Sequence, residues 1–157
     1  MYALRQFSIR NSRFLEILYN IFDPLVHLFH PLWRVIGYQR VERPAAAIEA
    51  WVKGALFDCQ MCGRCILSST GMSCPMNCPK SIRNGPCGGV RANGNCEVKP
   101  EMACVWVEAW SGSRQMKGGD KIANIQKPVD YTAKGTSAWM RIVREENTPV
   151  ETREPGK

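Results

Sequence analysis

Eight cysteines lie between Cys59 and Cys104, a window of 46 residues, and none lies elsewhere in the 157-residue chain. Thiolates are soft ligands suited to zinc and to iron-sulfur chemistry, so this clustering points first to metal. The window opens with Cys59-Gln-Met-Cys62-Gly-Arg-Cys65, a C-x2-C-x2-C run. On a tight loop such thiols turn inward together, and bacterial ferredoxins use this spacing for three of the four ligands to a [4Fe-4S] cluster. The others are Cys74, Cys78, Cys87, Cys96 and Cys104, of which Cys74 and Cys78 are each followed by proline. A proline there removes a backbone donor and turns the chain away. Around Cys87 the loop Asn84-Gly85-Pro86-Cys87-Gly88-Gly89 supplies glycines, which let backbone amides approach sulfur and donate to it.

Three chemistries compete for these thiols. Disulfides belong to oxidising compartments, and no convincing export signal is present. Zinc sites pair C-x2-C halves that are far apart, which would orphan one thiolate of a C-x2-C-x2-C run. The expectation is therefore two [4Fe-4S] clusters, with one cluster plus one zinc as the alternative. Cys59, Cys62 and Cys65 share a site; its fourth ligand is expected to be Cys78 or Cys104, with a crossed arrangement favoured, as in two-cluster ferredoxins.

Other residues carry less. His27 and His30 have ligand spacing but read better as packing residues at the edge of an apolar face. Trp51, Trp106 and Trp110, beside the cysteines, read as packing. Arg64, Lys80 and Arg83 could offset the charge of bound thiolates, against a default of solvated surface. There is no phosphate-binding glycine loop, Ser-His-Asp set or catalytic carboxylate pair, so the chain alone is expected to perform no substrate chemistry.

The stretch from Cys59 to Asn95 is rich in Gly, Pro, Asn and Ser and nearly free of periodic apolar runs, so it needs cross-links to hold a shape. The expected fold is a small, loop-rich, cysteine- and metal-stabilised domain, mainly α plus irregular chain, with little strand. Three parts follow: an apolar helical docking arm at 1–45, the eight-cysteine module at 46–111, and an extended polar arm at 112–157. In the first arm a helix from Asn11 or Ser12 to about Phe22 precedes one opening at Asp23-Pro24, His30-Pro31 interrupts, and Gly37 ends the last turn. Leu15, Leu18, Phe22, Leu25, Phe29 and Leu32 recur at spacings of three and four, a stripe expected to be buried. After a linker ending at Arg43-Pro44, AAAIEAWVKGALF reads as a helix; a further one is expected from Pro100, carrying Cys104 on its first turns. Thr136-Ser137 opens a last short helix, and residues 148–157 read as disordered.

The net charge of +7 is spread as +2 over residues 1–50, +2 over 51–110 and +3 over 111–157. No segment is a basic patch, which argues against nucleic acid. The apolar run after Arg5, Arg10 and Arg13 is broken by Glu16, Asn20 and Asp23, so neither a signal peptide nor a membrane span is expected. The expected location is cytoplasmic, with membrane contact unlikely.

From Phe57 to Trp110 the chain, with C-x2-C-x2-C followed by CPMNCPKSIRNGPCGG, resembles the methylenetetrahydrofolate reductase C-terminal family, which includes cysteine-rich small partner subunits. The resemblance implies a flavin-containing reductase partner that converts 5,10-methylenetetrahydrofolate to 5-methyltetrahydrofolate and carries the FMN or FAD. This chain is then expected to be an iron-sulfur accessory subunit relaying electrons to or from that flavin, with a further electron-transfer protein as a second partner. The alternative is a structural, metal-bound scaffold that stabilises or links the reductase.

Overall fold

The computed structural model describes residues 2–147, which form six α-helices joined by irregular chain. The helices are α1 (Tyr2–Arg10), α2 (Ser12–Leu28), α3 (His30–Ile36), α4 (Tyr38–Phe57), α5 (Val105–Ser113) and α6 (Ala138–Asn147). Between α4 and α5 the cysteine loop carries only short 3-10 turns at Leu67–Ser69 and Pro75–Asn77 and two isolated antiparallel bridges, Val90 with Cys96 and Asn95 with Ala103. The fold is thus mostly helical with almost no strand, as the composition implies. Residues 148–157, expected to be disordered, lie outside the described residues. No helix among the described residues is long and apolar enough to cross a membrane.

The N-terminal arm departs from the expected punctuation. The helix α1 precedes the first one predicted, and α2 runs through Pro24 without a break. Packing outweighs the missing donor there: the Phe22 ring lies 4.8 Å from that of Trp139 in α6. The helix α4 likewise begins at Tyr38 and runs through Pro44, across the expected boundary at 45 and 46. Its early turns are held because Glu42 accepts the backbone N–H of Ser137 at 2.7 Å. Gly37 does end α3, with φ +92, a value glycine adopts without a Cβ penalty.

The arm is attached through its polar side. Arg5, Ser8, Ser12 and Glu16, at helical spacing, are all buried. Arg5 pairs with Glu108 of α5 at 3.0 Å, Ser8 donates to the Leu56 carbonyl at 2.7 Å, and Ser12 donates to the Gly112 carbonyl at 2.8 Å. The Glu16 carboxylate accepts the N–H groups of Lys117 and Gly118, both at 2.8 Å. Of the apolar stripe expected to be buried, only Leu15 is; Leu18, Leu25, Phe29 and Leu32 are about half exposed, between 45 and 51 %. With the polar side facing the protein, much of the apolar side must face out.

The helix expected from Pro100 starts later, at Val105, with Cys104 at its N-cap. The preceding residues are drawn into extended pairing instead, through the Asn95–Ala103 bridge and the Cys104 N–H bonded to the Gly94 carbonyl at 3.0 Å. The polar C-terminal arm lies over the cysteine module of its own chain. Asn84 and Gln126 exchange two hydrogen bonds, at 2.8 and 2.7 Å, and the Gly135 N–H donates to the Met61 carbonyl at 2.8 Å.

Burial pushes the Glu108 carboxyl above its ordinary 4.5, against the pull of Arg5 and Gln6. A raised carboxyl pKa favours the folded state at low pH, a contribution lost as pH rises from 4.5 through the folded value. Removing the cation worsens that loss. Arg5→Met should therefore destabilise the chain by about 3 kcal/mol at neutral pH, where Glu108 is ionised and unpaired, and by less near pH 4. Urea unfolding at both pH values measures the difference.

Candidate metal centre

The helix α4 delivers the chain to Cys59, and its end is turned by Asp58 in the left-handed region, with φ 53. The loop then doubles back through the two 3-10 turns, so that Cys59, Cys62, Cys65 and Cys74 line one small cavity beneath α4 and α6. Cys74, rather than Cys78 or Cys104, is the fourth cysteine brought to the first run. Cys74 and Cys59 share a hydrogen bond. That bond brings the Cys59 thiol down to about 7 against the effect of burial, and together with burial it drives Cys74 well up. The Met61 N–H also donates to Cys59 Sγ at 3.3 Å.

Two buried cations border this group. Arg83 points Nη1 at Cys62 Sγ from 3.7 Å, while Nη2 and Nε donate to the carbonyls of Arg64 and Lys127, both at 2.9 Å. Lys53 pairs with Glu49 at 2.7 Å and stands beside Cys65. Burial would lower the Lys53 ammonium, but Cys65 and Glu49 outweigh it and hold it above the ordinary lysine range. Positive charge of this kind offsets the charge of gathered thiolates. Arg64 pairs instead with Asp130 at 3.1 Å and with Glu145 at 3.7 Å. Sequence reasoning missed Lys53 and Glu49; their i,i+4 spacing just before Cys59 was the available signal.

The other four cysteines follow in the second half of the loop. The Asn95–Ala103 bridge sets Cys96 and Cys104 on facing extended segments, with Cys96 also bridged to Val90. Cys104 packs with Trp106 and Ala109, Cys78 is buried, and Cys87 is exposed. Around Cys87 the first site's pattern recurs: the N–H two residues on, from Gly89, donates to Sγ at 3.4 Å, and Lys80 Nζ lies 3.8 Å from it. Amide and cation donors to sulfur are the contacts by which proteins tune iron-sulfur clusters.

Among the described residues no three His, Cys, Asp or Glu side chains converge as a single-ion site. The first four thiols instead line one small cavity, and four thiolates are the donor set that an iron-sulfur group takes. His27 is engaged by Glu146 at 3.2 Å, away from the cysteines. Trp106 is buried and donates Nε1–H to the Ile82 carbonyl at 3.1 Å, whereas Trp51 and Trp110 are exposed. On its outer side Cys65 also walls an apolar cavity of about 630 Å³ between α2, α3 and α4.

A family model described as "Methylene-tetrahydrofolate reductase C terminal" matches residues 38–132, which include all eight cysteines and more than half of the chain. No curated protein and no solved structure matches.

Gly63 takes φ +71, and a Cβ there would stand 2.2 Å from the Ala133 carbonyl oxygen. Gly63→Ala should cost at least about 2 kcal/mol and part the cysteine loop from the C-terminal arm. Gly54, in the interior of α4, has nothing within 4 Å of its Cβ position. Gly54→Ala should stabilise by about 0.5–1 kcal/mol. Chemical denaturation of the two variants, read side by side, checks the opposite signs.

Proposed function

The chain belongs to the methylene-tetrahydrofolate reductase C-terminal family, and on that premise we propose that it is an iron-sulfur accessory subunit of a methylenetetrahydrofolate reductase complex. In this reading it exchanges single electrons with a flavin, FMN or FAD, carried by the catalytic subunit. The observation that carries the reading is that Cys59, Cys62, Cys65 and Cys74 line one cavity, with Arg83 and Lys53 beside them. Cys59, Cys62, Cys65 and Cys74 would hold one [4Fe-4S] cluster, and Cys78, Cys87, Cys96 and Cys104 a second. Such clusters, when bound, accept and release single electrons.

The residues around them would do the rest. Met61 and Gly89 donate N–H to sulfur, and Arg83 and Lys53 lower the cost of negative charge. Cys87 is exposed, so the second centre would be the one open to a partner's cofactor or to a further electron-transfer protein. A second reading, one cluster plus a zinc or a purely structural metal, draws support from the scarcity of regular secondary structure between α4 and α5, which metal would stitch together.

Anaerobically purified protein should contain about eight iron and about eight acid-labile sulfide per chain and give electron paramagnetic resonance signals on reduction. Cys74→Ser should disturb the same signal as Cys62→Ser, whereas Cys87→Ser and Cys96→Ser should disturb a different one. Zinc as the sole metal would sink the iron-sulfur reading, and iron that cannot be reduced while the protein stays folded would favour the scaffold.

A further inference from the structure

Arg83 belongs to the second half of the cysteine loop, between Cys78 and Cys87, yet its side chain is directed at the first half. The residue is 5 % exposed. Its neighbours fix it from both sides. Ile82 offers its carbonyl to the Trp106 Nε1–H at 3.1 Å, and Asn84 is tied to the main chain of Gln126 by two bonds at 2.8 and 2.7 Å. Between those anchors the guanidinium makes three contacts: Nε donates to the Lys127 carbonyl and Nη2 to the Arg64 carbonyl, both at 2.9 Å, and Nη1 to Cys62 Sγ at 3.7 Å. Cys62 Sγ itself lies 3.6 Å from that same Arg64 carbonyl, towards which the thiol donates.

A thiol that binds metal gives up its proton. The contact between Cys62 Sγ and the Arg64 carbonyl then sets two electron-rich atoms against each other, and the Arg83 fork, with one nitrogen on each, holds them together. An ammonium is a point charge without that planar fork, so lysine could not make the same pair of contacts in the same directions. The guanidinium also stays charged at any working pH, and a buried charge is screened far less than one in solvent. Neither neighbouring cation is placed this way. Arg64 borders the same cavity but gives its guanidinium to Asp130 and Glu145, and Lys80, near Cys87, is exposed and paired with Glu97.

Provided that the first four thiols hold an iron-sulfur cluster, the reading on which this rests, we propose that Arg83 is a positioning residue that sets the reduction potential of the first centre. Hydrogen-bond donation to a ligand sulfur and positive charge beside it favour the reduced form, which carries one more negative charge. Because Nε is held by Lys127, the aim of the fork at Cys62 depends on the docked C-terminal arm. That arm is therefore part of the electrostatic environment of the centre.

The test uses the full chain, purified anaerobically, with iron and zinc counted for every variant and each paramagnetic signal followed through a titration with dithionite. Arg83→Gln should make reduction of the signal that Cys62→Ser disturbs at least about tenfold less favourable, a downward midpoint shift of about 59 mV or more for one electron. The signal that Cys87→Ser disturbs should stay where it was. Arg83→Lys, which keeps the charge and loses the fork, should recover part of the shift, whereas Arg64→Gln, an equal loss of charge without a sulfur contact, should change reduction by less than about threefold. Asn84→Ala, at an exposed position, removes one anchor of Arg83 and should shift the first midpoint in the same direction by a smaller amount. Full iron with an unmoved first signal in Arg83→Gln, an equal shift of both signals, or no recovery in Arg83→Lys overturns the inference and leaves the accessory-subunit reading intact. Should Arg83→Gln fail to fold, an unmoved first midpoint in Asn84→Ala overturns it instead. Zinc in place of iron overturns both.

Discussion

One buried ion pair holds the candidate centre in shape. The Glu49 carboxylate accepts from Lys53 Nζ at 2.7 Å, from Ser137 Oγ at 2.6 Å and from the Trp139 N–H at 3.3 Å. Lys53 in turn lies 4.8 Å from the Trp139 ring centroid and beside Cys65. A buried pair repays its desolvation only when the remaining hydrogen-bonding capacity is filled, and here it is filled from α6. Ser137 completes the arrangement by accepting the Met140 N–H at 3.2 Å as the cap of that helix. The register of α6, the end of α4 and the first cysteine loop are therefore set by the same few atoms. The position of Cys65 is a tertiary property and does not belong to its loop alone.

The same principle explains the inverted N-terminal arm. Burying Arg5, Ser8, Ser12 and Glu16 is tolerable because each finds a specific partner on α4, α5 or the turn after α5. Four satisfied polar contacts fix orientation more sharply than a smooth apolar face would, since a one-residue slip would leave every one of them unpaired. The cost is apolar area left in solvent.

Much of this was legible in the sequence. The cysteine window, its C-x2-C-x2-C opening and the lack of strand followed from spacing and composition, because ligand loops are local and Gly and Pro punctuate them directly. The grouping of the cysteines did not. Local continuation favoured Cys78 and a returning helix favoured Cys104, but the turns at Leu67–Ser69 and Pro75–Asn77 fold the nine-residue gap back on itself and bring Cys74 round. Pro24 and Pro44 misled for a related reason. Each breaks a helix by its intrinsic preference, yet Phe22 against Trp139 and Glu42 on Ser137 hold the helical path through them. The apolar stripe was seen, and its burial was inferred from its width. A sequence shows which residues share a face, but that Arg5, Ser8, Ser12 and Glu16 would win the inward side depended on partners about a hundred residues away for three of them.

The limits of the family match sharpen the point about the centre. Residues 38–132 contain all eight cysteines, but Gly135, Ser137 and Trp139, which tie α6 to Met61 and Glu49, lie beyond them. The first group of thiols is thus covered by a segment outside the matched core, and Trp139 reaches from there to Phe22 in α2, which precedes it. That aromatic contact and the His27–Glu146 pair at 3.2 Å join the two flanks.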